Sequence, residues 1–177
     1  MTATVELMLF AQSPSELWVR STMSLEITGQ PSHTKKKIIS VAALETGAPY
    51  NLCVRFGNLL FISGLPPFDE EFSTKLREAR ANGTPTPPFP NLSFERQVEI
   101  VLANLKALVE AADSNVDCLL SIKVWLKDQS RQELFDRIYR DFFSGREALP
   151  TRTRLQAGRL PMDCDVEIEA IGYVPNG

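Results

Sequence analysis

The chain has 177 residues, 44% hydrophobic and 23% charged, with a formal net charge of −3. This is the composition of one soluble globular domain with a core and a terminal extension, and it gives no electrostatic reason to expect nucleic acid as a partner. A single histidine, His33, is too few for a Ser/His/Asp triad or a histidine-rich metal site. Three widely spaced cysteines, Cys53, Cys118 and Cys164, match no zinc pattern and suit a reducing cytoplasm better than a disulfide scaffold.

Residues 1 to 36 read as an N-terminal extension. The apolar run Leu7-Met8-Leu9-Phe10 is too short to span a bilayer, and Glu6 precedes it where a secretion signal carries positive charge, so neither anchor nor signal is expected. Met23 is a candidate internal start; the segment otherwise docks on a partner subunit or remains a loose tail. The main domain is expected over 37–177. Ile38 to Val41 can form a strand, and Tyr50 to Phe56 followed by Leu59 to Ser63, separated by Gly57-Asn58, is a hairpin signal. The proline-rich stretch Pro66 to Pro90, with a charged middle from Asp69 to Arg80 able to form one short helix, reads as a long insertion over a site.

Val98, Val101, Leu102, Leu105, Leu108, Val109 and Ala112 recur at three- and four-residue steps behind a Ser93 cap, which predicts an amphipathic helix. Gln97 and Asn104 flank its apolar stripe as hydrogen-bonding residues rather than ligands. Leu119 to Lys127 predicts a strand with Leu120, Ile122, Val124 and Leu126 on one face and Ser121, Lys123, Trp125 and Lys127 on the other. Ser130 with Glu133 reads as a capping box opening a second helix through Leu134, Phe135, Ile138 and Phe142. Pro150 ends helical structure and leads into a strand on which Arg152 and Arg154 share one face. From Asp163 to Ile171, Cys164, Val166, Ile168 and Ala170 alternate with Asp165, Glu167 and Glu169. One sheet edge is thereby expected to present guanidinium and carboxylate to the same space.

Two helices can cover one face of such a sheet. The other face, with Trp125, Lys123, Glu167 and Glu169, is too apolar for full exposure and too polar for a closed core, so a partner subunit is expected to cover it. The fold class is α+β, a two-layer sandwich of about six mixed strands with two helices on one face.

Gly47-Ala48-Pro49-Tyr50, Leu60-Phe61-Ile62-Ser63-Gly64, the Gln97 to Asn104 helix, Tyr139 before Phe142-Phe143, Pro150-Thr151-Arg152-Thr153, Arg159-Leu160-Pro161 and Val166-Glu167-Ile168-Glu169-Ala170 resemble, in the same order, the reactive intermediate deaminase family (Rid, YjgF-like, endoribonuclease L-PSP). The resemblance covers about Lys37 to Val174. It implies a chorismate-mutase-like fold, a homotrimer with sites in the clefts between subunits, no cofactor and no metal, and hydrolysis of enamines or imines to keto acids and ammonia. Carried over, the carboxylate-binding arginine falls on Arg152, the water-activating glutamate on Glu167, and the site-lining tyrosine and serine on Tyr50 and Ser63. An alternative for Arg152 is an interface salt bridge with Glu167 or Glu169.

Three positions depart from the family pattern: Leu65 stands for the usual glutamine, Asp136 for asparagine, and Arg154 for the frequent cysteine. Arg154, about 6.5–7 Å along the strand from Arg152, requires a negative partner: Asp136, Glu169, or the second carboxylate of a dicarboxylate, aminomuconate-like substrate. Arg154 and Asp136 therefore join the candidate substrate-binding residues. The rival reading is a non-catalytic trimeric module that binds small carboxylates or another protein.

Overall fold

The computed structural model describes residues 3–4, 24–25 and 35–175. The apolar run at 7–10, Met23 and His33 lie outside the described residues. The chain divides into two units, 1–34 and 35–177. In the first, strands β1 (Ala3–Thr4) and β2 (Ser24–Leu25) pair antiparallel.

The second unit is an α+β sandwich of chorismate-mutase-like type. Its strands are β3 (Lys37–Ile39), β4 (Cys53–Phe56), β5 (Leu59–Leu65), β6 (Leu119–Leu126), β7 (Thr151–Gln156) and β8 (Val166–Tyr173), in sheet order β3-β4-β5-β8-β6-β7. All neighbours are antiparallel except β6 and β7, a parallel pair joined through a helix as parallel strands require. The β4–β5 hairpin turns at Gly57-Asn58, where Gly57 takes φ 60°, a value favoured by a residue without Cβ. Tyr50 lies ahead of β4 in a loop rather than in the strand.

Three helices complete the unit: α1 (Glu70–Asn82), α2 (Phe94–Ala111) and α3 (Gln132–Phe142). The expected stripe of α2 is buried, and Ser93 caps it by accepting from the Arg96 amide at 3.2 Å. Val98, Val101, Leu105 and Leu108 pack with Phe135 and Tyr139 of α3 against Ile62, Ile122, Val124, Val166 and Ile168 of the sheet. The third helix, α1, lies within the proline-rich connection. Asp69 caps it by accepting from the Phe72 amide at 2.9 Å, and Gly83 ends it at φ 65°. Its Phe72 and Leu76 form a second, small cluster with Phe68, Phe89 and Met162.

Two local expectations are corrected. A bulge between Leu119 and Ser121 turns Leu120 outward, 46% exposed, and buries Leu119 in its place. The capping box at Ser130 and Glu133 is not formed: the Asp128 carboxylate accepts from the Ser130 amide at 2.9 Å and caps a 3-10 turn at Gln129–Arg131, after which α3 begins without a side-chain cap.

The register assigns every sheet residue to a face. Ile62, Ala170 and Ile122 share the helix side, whereas Phe61 lies opposite Ile171 and Val54 on the other. The uncovered face carries exposed Ile38, Phe56, Leu59, Phe61 and Leu155 together with Trp125, Glu167 and Glu169. The three cysteines are free and buried; burial pushes the Cys53 and Cys164 thiols up to about 11 and about 12, so neither is a thiolate at neutral pH.

Buried Gln97 joins α2 to the segment that opens β8. Its Nε2 donates to the Leu92 carbonyl and to Asp165 Oδ2, both at 3.1 Å, and its Oε1 accepts from the Asp165 amide at 2.8 Å. Gln97→Ala leaves the Leu92 carbonyl and the Asp165 amide without their side-chain partner, Asp165 Oδ2 keeping Arg131 at 3.6 Å, and is expected to lower stability by about 2–3 kcal/mol, read as a shifted urea midpoint at constant m-value; an unchanged midpoint removes Gln97 from the stability of the fold.

Candidate active site

Edge strand β7 presents two arginines to α3, one turn of which supplies their partner. Arg152 Nη2 lies 2.8 Å and Arg154 Nη1 2.9 Å from the same oxygen, Asp136 Oδ1. Arg154 Nη2 also donates to Gln132 Oε1 at 2.7 Å. The Arg152 guanidinium lies over the ring of Tyr139, 4.6 Å from its centroid, and 5.7 Å from that of Phe135, so an aromatic shelf holds its face while Asp136 holds one edge. Tyr139 is buried with its hydroxyl unpaired, and burial pushes the phenol up to about 12, which keeps it neutral under the cation.

Asp136 is therefore what Arg154 pairs with; Glu169 pairs with Lys123. The cluster of two guanidiniums and one carboxylate keeps one net positive charge. Within the chain, Arg152 bridges to Asp136.

Glu167 lies on the other face of the sheet. Its carboxylate rests on Gly64 so closely that a Cβ built on Gly64 meets Glu167 Oε1 at 2.2 Å. The β5 bulge between Ile62 and Leu65 shapes this seat. Burial first, and the neighbouring Glu169 carboxylate second, hold the Glu167 pKa above its usual 4.5. Ser63, beside Gly64, donates Oγ to the Asn51 carbonyl at 2.8 Å and its amide to the Leu52 carbonyl at 2.9 Å, which ties β5 to the loop carrying Tyr50. Tyr50 itself is 54% exposed.

The structure thus gathers Arg152, Arg154 and Asp136 on the helix side and sets Glu167 and Ser63 at the β5 bulge, with Tyr50 in the loop that Ser63 ties to β5. Arg152 pairs in register with buried Ile122, and Glu167 with Trp125, so within one chain they occupy opposite faces. The expectation that one sheet edge presents both to the same space is corrected by this parity.

Sequence reasoning missed the Phe135–Tyr139 shelf, although the spacing of four on α3 brings two aromatics to one face. It also missed a cleft of about 130 Å³ lined by Leu52, Leu65, Phe68, Met162 and others, with Tyr50 and Arg80 at its edge. Among the described residues, no group of three or more His, Cys, Asp or Glu is arranged to hold a metal, and no helix is long and apolar enough to cross a membrane.

The family model described as endoribonuclease L-PSP matches residues 40–174. The RutC family protein PH0854 of Pyrococcus horikoshii is 30% identical over 139 residues, covering 78% of this chain and 98% of its own. The RutC family protein UK114 of Drosophila melanogaster is 34% identical over 137 residues, covering 77% and 88%. Among solved structures, Escherichia coli TdcF with bound serine superposes with a TM-score of 0.63 at 28% identity, covering 77% of this chain and 98% of that one. With most of its length matched in sequence and in fold, the chain belongs to the Rid family, the YjgF-like proteins that the endoribonuclease L-PSP model describes.

Proposed function

We propose that this protein is an enamine and imine deaminase that hydrolyses 2-imino acids to 2-keto acids and ammonia, working as a homotrimer with its sites between subunits. The observation that carries the reading is the seat of Glu167: a half-buried carboxylate held against a glycine, its pKa raised by burial and by the neighbouring Glu169, which makes it a better proton acceptor than a free carboxylate. TdcF of Escherichia coli, 30% identical over 138 residues, is provisionally named a reactive intermediate deaminase, which supports the same class of chemistry.

In this mechanism Arg152 holds the substrate carboxylate with the guanidinium nitrogens that Asp136 leaves free, and the aromatic shelf keeps its plane fixed. An enamine first tautomerises to its imine by taking a proton on the β-carbon and releasing one from nitrogen. Water then adds to the C=N carbon as Glu167 accepts its proton. The nitrogen takes up one proton from solvent as the carbinolamine forms and a second returned by Glu167; the C–N bond then breaks, and ammonia leaves as the hydroxyl gives its proton to solvent and the carbonyl forms. The polarised C=N bond is the electrophile, so the scheme uses no cofactor.

The opposite faces of Arg152 and Glu167 favour a site shared with a second chain. Strand β7 is a sheet edge and the uncovered face is apolar, so in this reading a neighbouring copy covers that face and contributes the arginine cluster opposite Glu167. Substrate charge follows from the arginine cluster. One net positive charge is balanced by one carboxylate, which favours a monocarboxylate over the dicarboxylate, aminomuconate-like compound that an unpaired Arg154 would have called for. The rival reading as a non-catalytic carboxylate-binding module keeps Arg152 in its role and gives Glu167 none. Free, buried thiols fit a reducing compartment such as the cytoplasm.

Glu167→Gln is expected to keep keto-acid affinity while ammonia release from freshly generated 2-imino acids falls by roughly 10²-fold or more. In the wild type, kcat/KM is expected to fall as pH drops through a pKa above 4.5, because the base must be ionised; the variant loses this acid limb. Unchanged turnover in Glu167→Gln removes the carboxylate from the chemical step. Arg152→Ala is expected to weaken keto-acid binding by about 2–3 kcal/mol with the fold retained, read by calorimetry beside a circular dichroism melt. Finally, sedimentation is expected to give three times the monomer mass for the wild type and one times for Phe61→Asp, whereas a monomeric wild type overturns the intersubunit site.

A further inference from the structure

Arg152 and Arg154 leave β7 on the same side, in register with buried Ile122 and Val124, yet α3 holds the two guanidiniums differently. Arg154 Nη1 donates to Asp136 Oδ1 at 2.9 Å and Nη2 to Gln132 Oε1 at 2.7 Å, two side chains that stand one turn apart on α3. Its Nε is buried without a partner, and the whole side chain is only 17% exposed. Every nitrogen of this guanidinium is therefore bonded to α3 or shut away from a ligand. Arg152 meets Asp136 through Nη2 at 2.8 Å and rests its plane on the Tyr139 ring. Both arginines converge on Oδ1 of Asp136, and among the described residues Oδ2 accepts no hydrogen bond.

The unused oxygen matters because a carboxylate with both oxygens available closes a two-point fork on a guanidinium, the same fork that a substrate carboxylate needs. Asp136 already touches Arg152, and with Oδ2 it has the second acceptor to close that fork itself. What holds it back is the pull of Arg154 on Oδ1 from the other side, with Gln132 fixing the plane of that guanidinium. We propose that Arg154 is a positioning residue that restrains Asp136 and so keeps Arg152 open to the substrate carboxylate. Arg154 is then no ligand for the substrate, although it is a cation beside the anchoring one. Without it, Arg152 and Asp136 form a closed pair of zero net charge, with nothing left to attract an anion. The inference rests on the reading of Arg152 as the residue that binds the substrate carboxylate, but its binding test does not require turnover.

The test is calorimetric titration of the full-length protein with pyruvate and 2-oxoglutarate, alongside ammonia release from the corresponding imines. The proteins compared are the wild type, Arg154→Met, Asp136→Asn, the double variant and Gln132→Ala, with Arg152→Ala as control. Arg154→Met is expected to weaken pyruvate binding by about tenfold, the scale of one charge-assisted hydrogen bond, with the loss in KM rather than in kcat. Asp136→Asn, whose amide cannot close the fork, is expected to tighten binding. In that background, adding Arg154→Met is expected to change affinity by less than about twofold, because the group it restrains is gone. Gln132 is exposed, so Gln132→Ala leaves the core alone and is expected to weaken binding in the same direction. An equal loss from Arg154→Met in both backgrounds overturns the inference, since Arg154 then acts on the ligand by its own charge. So does tighter binding of 2-oxoglutarate than of pyruvate that disappears in Arg154→Met, which makes Arg154 a second carboxylate site. Unchanged pyruvate affinity in Arg152→Ala, or no pyruvate binding by the wild type, overturns the inference together with the reading of the site. The expected coupling without ammonia release from any imine keeps the inference and overturns the deaminase reading.

Discussion

The strict two-residue period of β8 is the constraint on which the rest of this structure depends. Val166, Ile168 and Ala170 must enter the core between β5 and β6, and that leaves Glu167 and Glu169 no choice of side. A one-residue slip would bury two carboxylates under α2 and expose three core side chains. The hydrophobic drive that places the apolar set therefore also places the charged one. Gln97 secures the phase at its start by binding both the amide and the carboxylate of Asp165.

The same parity makes the arginine cluster a separate construction. Two guanidiniums within reach of one another repel in proportion to how little water surrounds them, and Asp136 offsets this by accepting both on one oxygen. The cation at Arg154 is thus matched by the anion at Asp136. What remains for a ligand is the Arg152 edge that faces away from Asp136, flattened against Tyr139.

Much of this was legible in the sequence, and the reasons differ by element. The α2 stripe and the β8 alternation are long and periodic, and period is what burial acts on; both are found where expected. The β4–β5 hairpin follows from Gly57-Asn58, a local requirement for positive φ. Leu120 misled because a bulge adds one residue to β6, and bulges depend on the pairing partner rather than on the strand itself. At α3, Asp128 and Ser130 are both competent caps, and the competition was decided by a 3-10 turn that periodicity does not register. The candidate site residues come from the resemblance, and which of them share a face needs the parallel register of β7 on β6. The wall of the cleft was out of reach for a plainer reason: the bonds from Arg77 and Arg80 of α1 to the carbonyls of Ala42, Glu45 and Thr46 cross more than thirty residues of sequence.

Gly64 gives this scaffold a single point of adjustment. A single methyl group there collides with the tip of the Glu167 side chain and with no buried packing, so the carboxylate would swing aside while the sheet, the helices and the arginine cluster stayed as they are. The position of the Glu167 carboxylate therefore depends on the absence of one carbon atom in the neighbouring strand, not on the packing of the core.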